Sequence, residues 1–308
     1  MGKYLIKRIG AAIFTIFVAA TITFFIMHFV PGDPFMSEKA TTPEVKEALY
    51  AKYGLDKPLI VQYFNYMKNL LKGDFGISYK LSKNRPISAI IGESFPVSAK
   101  VGMWAVLFAV TCGVPLGCVA ALRRSKWQDN AIRVLSTIGI AIPGFVVATG
   151  TMILFSVQLK WLPATWSGKA SSYILPVFTL GFYPMCYITR LMRSSMLDAM
   201  GQDFIRTAKA KGMSEFIVTF KHALKNSLIP VITYLGPLVA SILTGGFVVE
   251  QVFNIPGLGR YFVKAITARD YMVIMGTTIF LATFIILMNL VCDLLYKLVD
   301  PRIKLGEE

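Results

Sequence analysis

Acidic residues are scarce in this sequence. Its 308 residues carry 17 Asp and Glu against 32 Lys and Arg, a formal net charge of +15. The shortage is sharpest in the long apolar runs, whose interiors hold no Asp or Glu. A proton- or sodium-coupled carrier keeps an ionisable group near the bilayer midplane despite its cost, so the pattern argues against a secondary carrier. Histidine occurs twice, as His28 and His222, and cysteine four times, as Cys112, Cys118, Cys186 and Cys292. The cysteines lie in or beside apolar runs and form no CxxC pair, so they read as small packing residues, not disulfides or metal ligands. No GxxxxGK(S/T) phosphate loop, HExxH or GxSxG occurs. ATP hydrolysis through such a loop, zinc proteolysis and serine-hydrolase chemistry therefore lack their residues, and neither cofactor nor metal is expected.

Charge of either sign is sparse, at 16% of residues, where a soluble domain carries about a quarter. Apolar residues make up 55%, and the mean hydropathy is +0.59. The solvent is lipid. The positive charges gather at the ends of apolar runs, which points to membrane orientation and not to nucleic acid.

A helix needs about 20 apolar residues to cross the hydrocarbon core. Six stretches qualify, near Ile9–Val30, Val97–Leu122, Ile132–Val157, Ile174–Leu191, Leu228–Val249 and Met272–Leu295. The first follows Lys3, Lys7 and Arg8 as a signal peptide would. It exceeds the usual apolar length of about 7–15 residues and has no small-residue cleavage site before "PGDP", so a retained span is expected. Lys and Arg flank the N-terminus, the loop after span two, the loop after span four and the C-terminus. That alternation places both termini in the cytoplasm. The expected organisation is a first span over 1–30 and an extracytoplasmic segment with two short helices over 31–95. A permease-like core over 96–300 and a tail over 301–308 follow.

Glycine and proline interrupt the later spans at Pro143-Gly144, Pro184, Gly236-Pro237 and Gly245-Gly246. Such breaks are tolerated where neighbours or water satisfy the freed backbone groups. Two readings stand: close packing through small residues, or spans that line a pathway and flex at Pro143, Gly144, Gly236, Pro237 and Gly245.

Between spans four and five lies a long basic loop, "TAKAKGMSEF". Asp203 can cap a short helix, Gly212 can end it and Ser214 can cap a second. Phe216, Phe220 and Leu224 recur at four-residue spacing, joined by Ile217 and Ala223, with Glu215, Val218 and His222 pointing elsewhere. This predicts a helix–turn–helix over 203–226. It either rests on lipid headgroups or docks into a groove on a soluble partner.

"RTAKAKG" followed by "FKHALKNSLIP" resembles the cytoplasmic loop of ABC importer permeases, in the variant typical of the oligopeptide/dipeptide (and nickel) branch. "YLIKRI", "GDFGISY", "VEQVFNIPGLGRYFVKAITARDYMVIMG" and "DPRIK" resemble that branch's first permease subunit in the same order. The resemblance implies an all-α type I permease fold of six transmembrane helices, which is not itself an enzyme. It implies a homologous second permease, two cytoplasmic ATP-binding subunits and an extracytoplasmic substrate-binding protein, with membrane lipid around them. It also implies contacts to the ATPases through Arg206, Thr207, Ala208, Gly212, Glu215 and His222. Arg206-Thr207 replaces the Glu-Ala of the general loop. The implied cargo is an oligopeptide or dipeptide; the alternatives are nickel or another small solute, or a passive channel.

Overall fold

The structure, a computed structural model, describes residues 2–29 and 43–299. The expected tail at 301–308 lies outside the described residues. Among the described residues the chain is helical apart from loops and one isolated antiparallel bridge between Ile77 and Pro86. Five stretches are long and apolar enough to cross a membrane: Ile6–Phe29, Ile87–Leu122, Ser171–Met200, Glu215–Val252 and Tyr271–Cys292. Trp127–Ala141 and Gly144–Gln158 make a sixth if the bent pair is one span. The helices divide between two compact units, Met1–Val97 with Gly257–Leu287, and Ser98–Pro256 with Met288–Glu308.

The first unit holds α1 (Gly2–Phe29), α2 (Pro43–Tyr53), α3 (Leu59–Leu71), the first turns of α4 (Ile87–Leu122), α12 (Leu258–Ala268) and most of α13 (Tyr271–Val299). Tyr66 of α3 is buried with Ala20 and Phe24 of α1 and with Met275 and Ile279 of α13. Ile87 and Ile90 pack with Leu258, Ala265 and Val273 in a second cluster. The turn-rich "GDFGISY" is pinned by one carboxylate. Asp270, fully buried, accepts from Ser78 Oγ at 2.6 Å and from the backbone N–H groups of Tyr79, Lys80 and Leu81 at 3.2, 2.9 and 2.9 Å. A buried carboxylate is tolerable only when so many donors replace water. Burial, and then the Asp270 charge, push the neighbouring Tyr79 hydroxyl well above its ordinary pKa.

The second unit is built on α7 (Ser171–Met200), which packs with α5 (Trp127–Ala141), α6 (Gly144–Met152) and α10 (Leu224–Leu243). The rest of α4 crosses α7 through glycines. A Cβ on Gly113 would lie 2.8 Å from the Met185 carbonyl oxygen, and one on Gly117 would lie 2.6 Å from that of Thr189. Two glycines four residues apart let the backbones touch, the small-residue packing typical of helices in lipid. Asp129, 1% exposed, ties α5 to α7 by accepting from Arg193 Nε at 2.6 Å and Nη2 at 2.8 Å; the Ser125 N–H adds a third bond.

Proline acts differently at each of its predicted breaks. Span three is broken, with a bend of 101° between Ala141 and Gly144. Pro143 excludes the helical region for the residue before it, and Ile142 is extended at φ −77°, ψ 125°. Span four was expected to be interrupted at Pro184, and span five at Gly236-Pro237. Both helices instead run through: α7 contains Pro176 and Pro184, and α10 contains Pro230 and Pro237. Pro176 and Pro184 are buried, whereas Pro230 and Pro237 are exposed; helix-interior prolines are tolerated in lipid-embedded helices. The break in span five comes later, at Gly245, whose φ is +106°; α11 (Phe247–Val252) then resumes.

Candidate coupling hairpin and pathway groove

The loop between spans four and five is a helical hairpin. Helix α8 (Asp203–Ala210) starts from Gln202 at the N-cap position, so Asp203 is its first residue and not its cap. Its carboxylate instead faces Arg206 at 3.4 Å in a fully solvated pair. The helix ends in a Schellman motif. The Met213 N–H donates to the Ala208 carbonyl at 3.3 Å, and the Gly212 N–H donates to that of Lys209 at 3.0 Å. That closure needs a left-handed residue, and Gly212 supplies it at φ +73°. No atom of the chain lies within 4 Å of where a Gly212 Cβ would be. The glycine is therefore required by backbone conformation, not by a close approach within this chain. Ser214 caps the second helix, its Oγ accepting from the Ile217 N–H.

The second helix holds a surprise in register. After α9 (Glu215–Ile217) the backbone widens into a π-helical turn over Val218–Ala223. Val218 and Ala223 are buried, while Phe216 is 69% and Phe220 47% exposed with their rings 4.6 Å apart. Phe216 and Phe220 of the expected apolar face thus stay outside, available to headgroups or a partner, whereas Ala223 of that face and Val218, expected to point elsewhere, are buried in the core. The widened turn, with i→i+5 hydrogen bonding, brings Val218 and Ala223, five apart, to one buried side. Ile205, Ala208, Val218 and Ala223 share one buried cluster with Met192 and Met196 of α7, so the hairpin is seated on that helix. Ala208, expected to seat against a partner, is spent on this internal contact. Arg206, Thr207, Gly212 and Glu215 are exposed. His222 is half-buried, and its Nε2 is out of water without a hydrogen-bond partner among the described residues.

The proposed flex points fall around a groove of about 560 Å³. Gly144 and Pro237 line it with Thr179, Tyr183 and Tyr234. Gly245 and Gly144 line an adjoining hollow of about 390 Å³. Pro143 is the exposed N-cap of α6, and Gly236 is buried within α10 and lines neither. Three tyrosines run along the groove's edge: the Tyr187 ring stands 4.4 Å from that of Tyr234 and 6.4 Å from that of Tyr183. The Thr179 hydroxyl is buried with no partner among the described residues. The tyrosines escaped sequence reading. Their signal was the spacing of Tyr183 and Tyr187, one helical turn apart; nothing local ties them to Tyr234. Glu250 on α11 is buried and accepts from Ser98 Oγ at 2.7 Å.

The family described as "Binding-protein-dependent transport system inner membrane component" matches residues 113–305, and its N-terminal counterpart matches residues 1–107. The chain belongs to this family. This inner membrane component is 49% identical to the dipeptide transport system permease protein DppB of Bacillus subtilis, over all of both chains. It is 44% identical to the oligopeptide transport system permease protein OppB of Haemophilus influenzae, over 99% of this chain and 100% of that protein. Among solved structures, the MetNI methionine ABC transporter in an inward-facing conformation aligns with a TM-score of 0.54 at 13% identity. That alignment covers 69% of this chain and 97% of the other. This inner membrane component therefore has the ABC importer permease fold and is a multi-pass membrane protein.

Proposed function

We propose that this inner membrane component is one of two homologous permease subunits of an ATP-driven importer of oligopeptides or dipeptides. Both termini lie in the cytoplasm, two ATP-binding subunits drive it, and an extracytoplasmic binding protein feeds it. The cargo reading is supported by full-length relatives named for dipeptide and oligopeptide transport. The coupling reading rests on one observation: a helical hairpin, capped at its turn, that buries one face on α7 and leaves two phenylalanines, their rings in contact, in the open.

Such a hairpin is a lever. ATPases need only bind one conformation of the bundle better than another to shift its population. Phe216 and Phe220 are anchors for a partner's apolar cleft, and Arg206, Thr207 and Glu215 form the polar rim. Motion of the hairpin passes to Met196 and Met192, and α7 carries it to Tyr183, about 20 Å along the same helix. The groove there is apolar and aromatic with scattered hydroxyls, a surface that accepts a peptide backbone without selecting side-chain charge.

The test is ATP-dependent uptake of labelled dipeptide by the complex reconstituted in vesicles. In Gly212→Leu, a branched residue at φ +73° opens the Schellman turn. Uptake is expected to fall to background while membrane insertion persists. Undiminished uptake would contradict the docking role. Nickel uptake that peptides do not displace would move the cargo to the metal branch, and flux without nucleotide would make the chain a passive channel.

A further inference from the structure

Three guanidinium groups converge on a groove of about 500 Å³ between α5 and α7, outside both sites described above. Arg133 comes from α5, and Arg190 and Arg193 from α7; Val134, Thr137, Ile138 and Ser194 complete its walls. Their charges are unequally balanced. Arg193 is held by its bidentate pair with Asp129, which cancels its charge and fixes its plane. Arg133 donates one Nη2 bond to the neutral Asn130 side chain at 3.1 Å. Arg190 makes no hydrogen bond or ion pair with any described residue. Three guanidinium groups therefore share the single Asp129 carboxylate, which the Arg133 charge also stabilises, and these four groups together leave the recess net positive.

The recess has a polar end and an apolar end. Ile138 lies five residues beyond Arg133 on α5, about 7.5 Å further along the axis. Val134 is 55% and Ile138 49% exposed. Guanidinium forks match phosphate oxygens in geometry and charge, and the half-exposed aliphatic strip runs on from them towards the helix interior. A free phosphate would use only the first half of that surface. A phospholipid uses both: headgroup on the arginines, acyl chain on Val134 and Ile138.

We propose that this groove is a binding site for an anionic phospholipid whose phosphate bridges Arg133 and Arg190. The lipid clamps the middle of α5 to α7, with Arg133 ten residues, about 15 Å of helix, before Pro143. The claim is independent of the cargo and of the ATPase contact.

The experiment uses the full chain in its complex, purified in mild detergent and stripped of lipid. Phosphatidylglycerol, phosphatidylcholine and inorganic phosphate are titrated separately, with bound lipid counted by native mass spectrometry and thermal midpoint followed in parallel. The wild type is expected to retain phosphatidylglycerol and to be stabilised by it, and by neither of the others. The double variant Arg133→Gln/Arg190→Gln is expected to bind it about thirtyfold more weakly, from the usual contribution of each basic residue at an anionic surface. Arg123→Gln/Arg124→Gln removes two exposed charges that do not line the groove and is expected to bind as the wild type does. Equal stabilisation by phosphatidylcholine or by inorganic phosphate overturns the proposal. So does undiminished retention in the groove variant, or equal loss in the control. The wild-type comparison stands even if a variant fails to assemble.

Discussion

Asp270 and Arg206 are both charged, and burial assigns them opposite kinds of work. The Asp270 carboxylate has no water and four donors, three of them backbone N–H groups that cannot turn away. In Asp270→Asn the amide oxygen can keep the three donors of Oδ2, but the NH₂ then meets the Tyr79 N–H head-on in a buried site and the charge that draws all four donors is lost. A cost of about 2–3 kcal/mol is expected, read as a lower thermal midpoint and faster tryptic cleavage at Lys80 and Lys83. Arg206 pairs with Asp203 across 3.4 Å with both side chains in solvent, and such pairs contribute little to folding. Arg206→Ala should leave the thermal midpoint unchanged, so any loss of ATP-driven uptake in that variant reports a partner contact. Neither assignment was legible in the sequence. Asp270 and Ser78 are 192 positions apart, and no local pattern predicts that pairing. Arg206 and Asp203 are three apart, yet only the fold decides that both stand in water.

At the scale of elements, what lipid dictates could be read and what packing dictates could not. Apolar runs of about 20 residues are compulsory for a span, so the spans were visible as counts and positions. Gly212 was readable as a helix stop because a left-handed closure has few other solutions. The π turn was not, since the spacing of Phe216, Phe220 and Leu224 fits an α-helix equally well. What selects the wider turn is the burial of Val218 and Ala223 against α7. Proline gave a mixed answer: Pro143 bends its span, whereas Pro184 and Pro237 sit inside continuous helices. The glycine pair on α4 was present in the sequence, but only contact with α7 gives it meaning. In Gly117→Leu the Thr189 carbonyl and the Met192 side chain must give way. Overpacking of this kind costs about 1–3 kcal/mol, and a smaller folded fraction on size-exclusion chromatography in detergent is the expected reading.

The whole molecule is a membrane bundle whose sequence holds no phosphate loop, and an exposed aromatic pair stands on the hairpin that follows α7. Exposed aromatic pairs are uncommon on a surface that meets water, because burying them against a partner is favourable. Here they stand on a hairpin whose other face is already committed to the core. Removing them therefore separates binding from folding. In Phe216→Ser/Phe220→Ser the buried cluster of Ile205, Ala208, Val218 and Ala223 is untouched, so insertion and thermal midpoint should match the wild type. If the rings are anchors in an ATPase cleft, their joint loss is worth at least about 2 kcal/mol, or roughly thirtyfold in affinity. The ATP-binding subunits should then fail to copurify, and ATP-driven uptake should fall with them. A different pattern follows if the pair only rests on headgroups. The ATP-binding subunits would copurify as before, uptake would continue, and the fluorescence of a probe attached at Lys221 would shift as the hairpin left the bilayer surface.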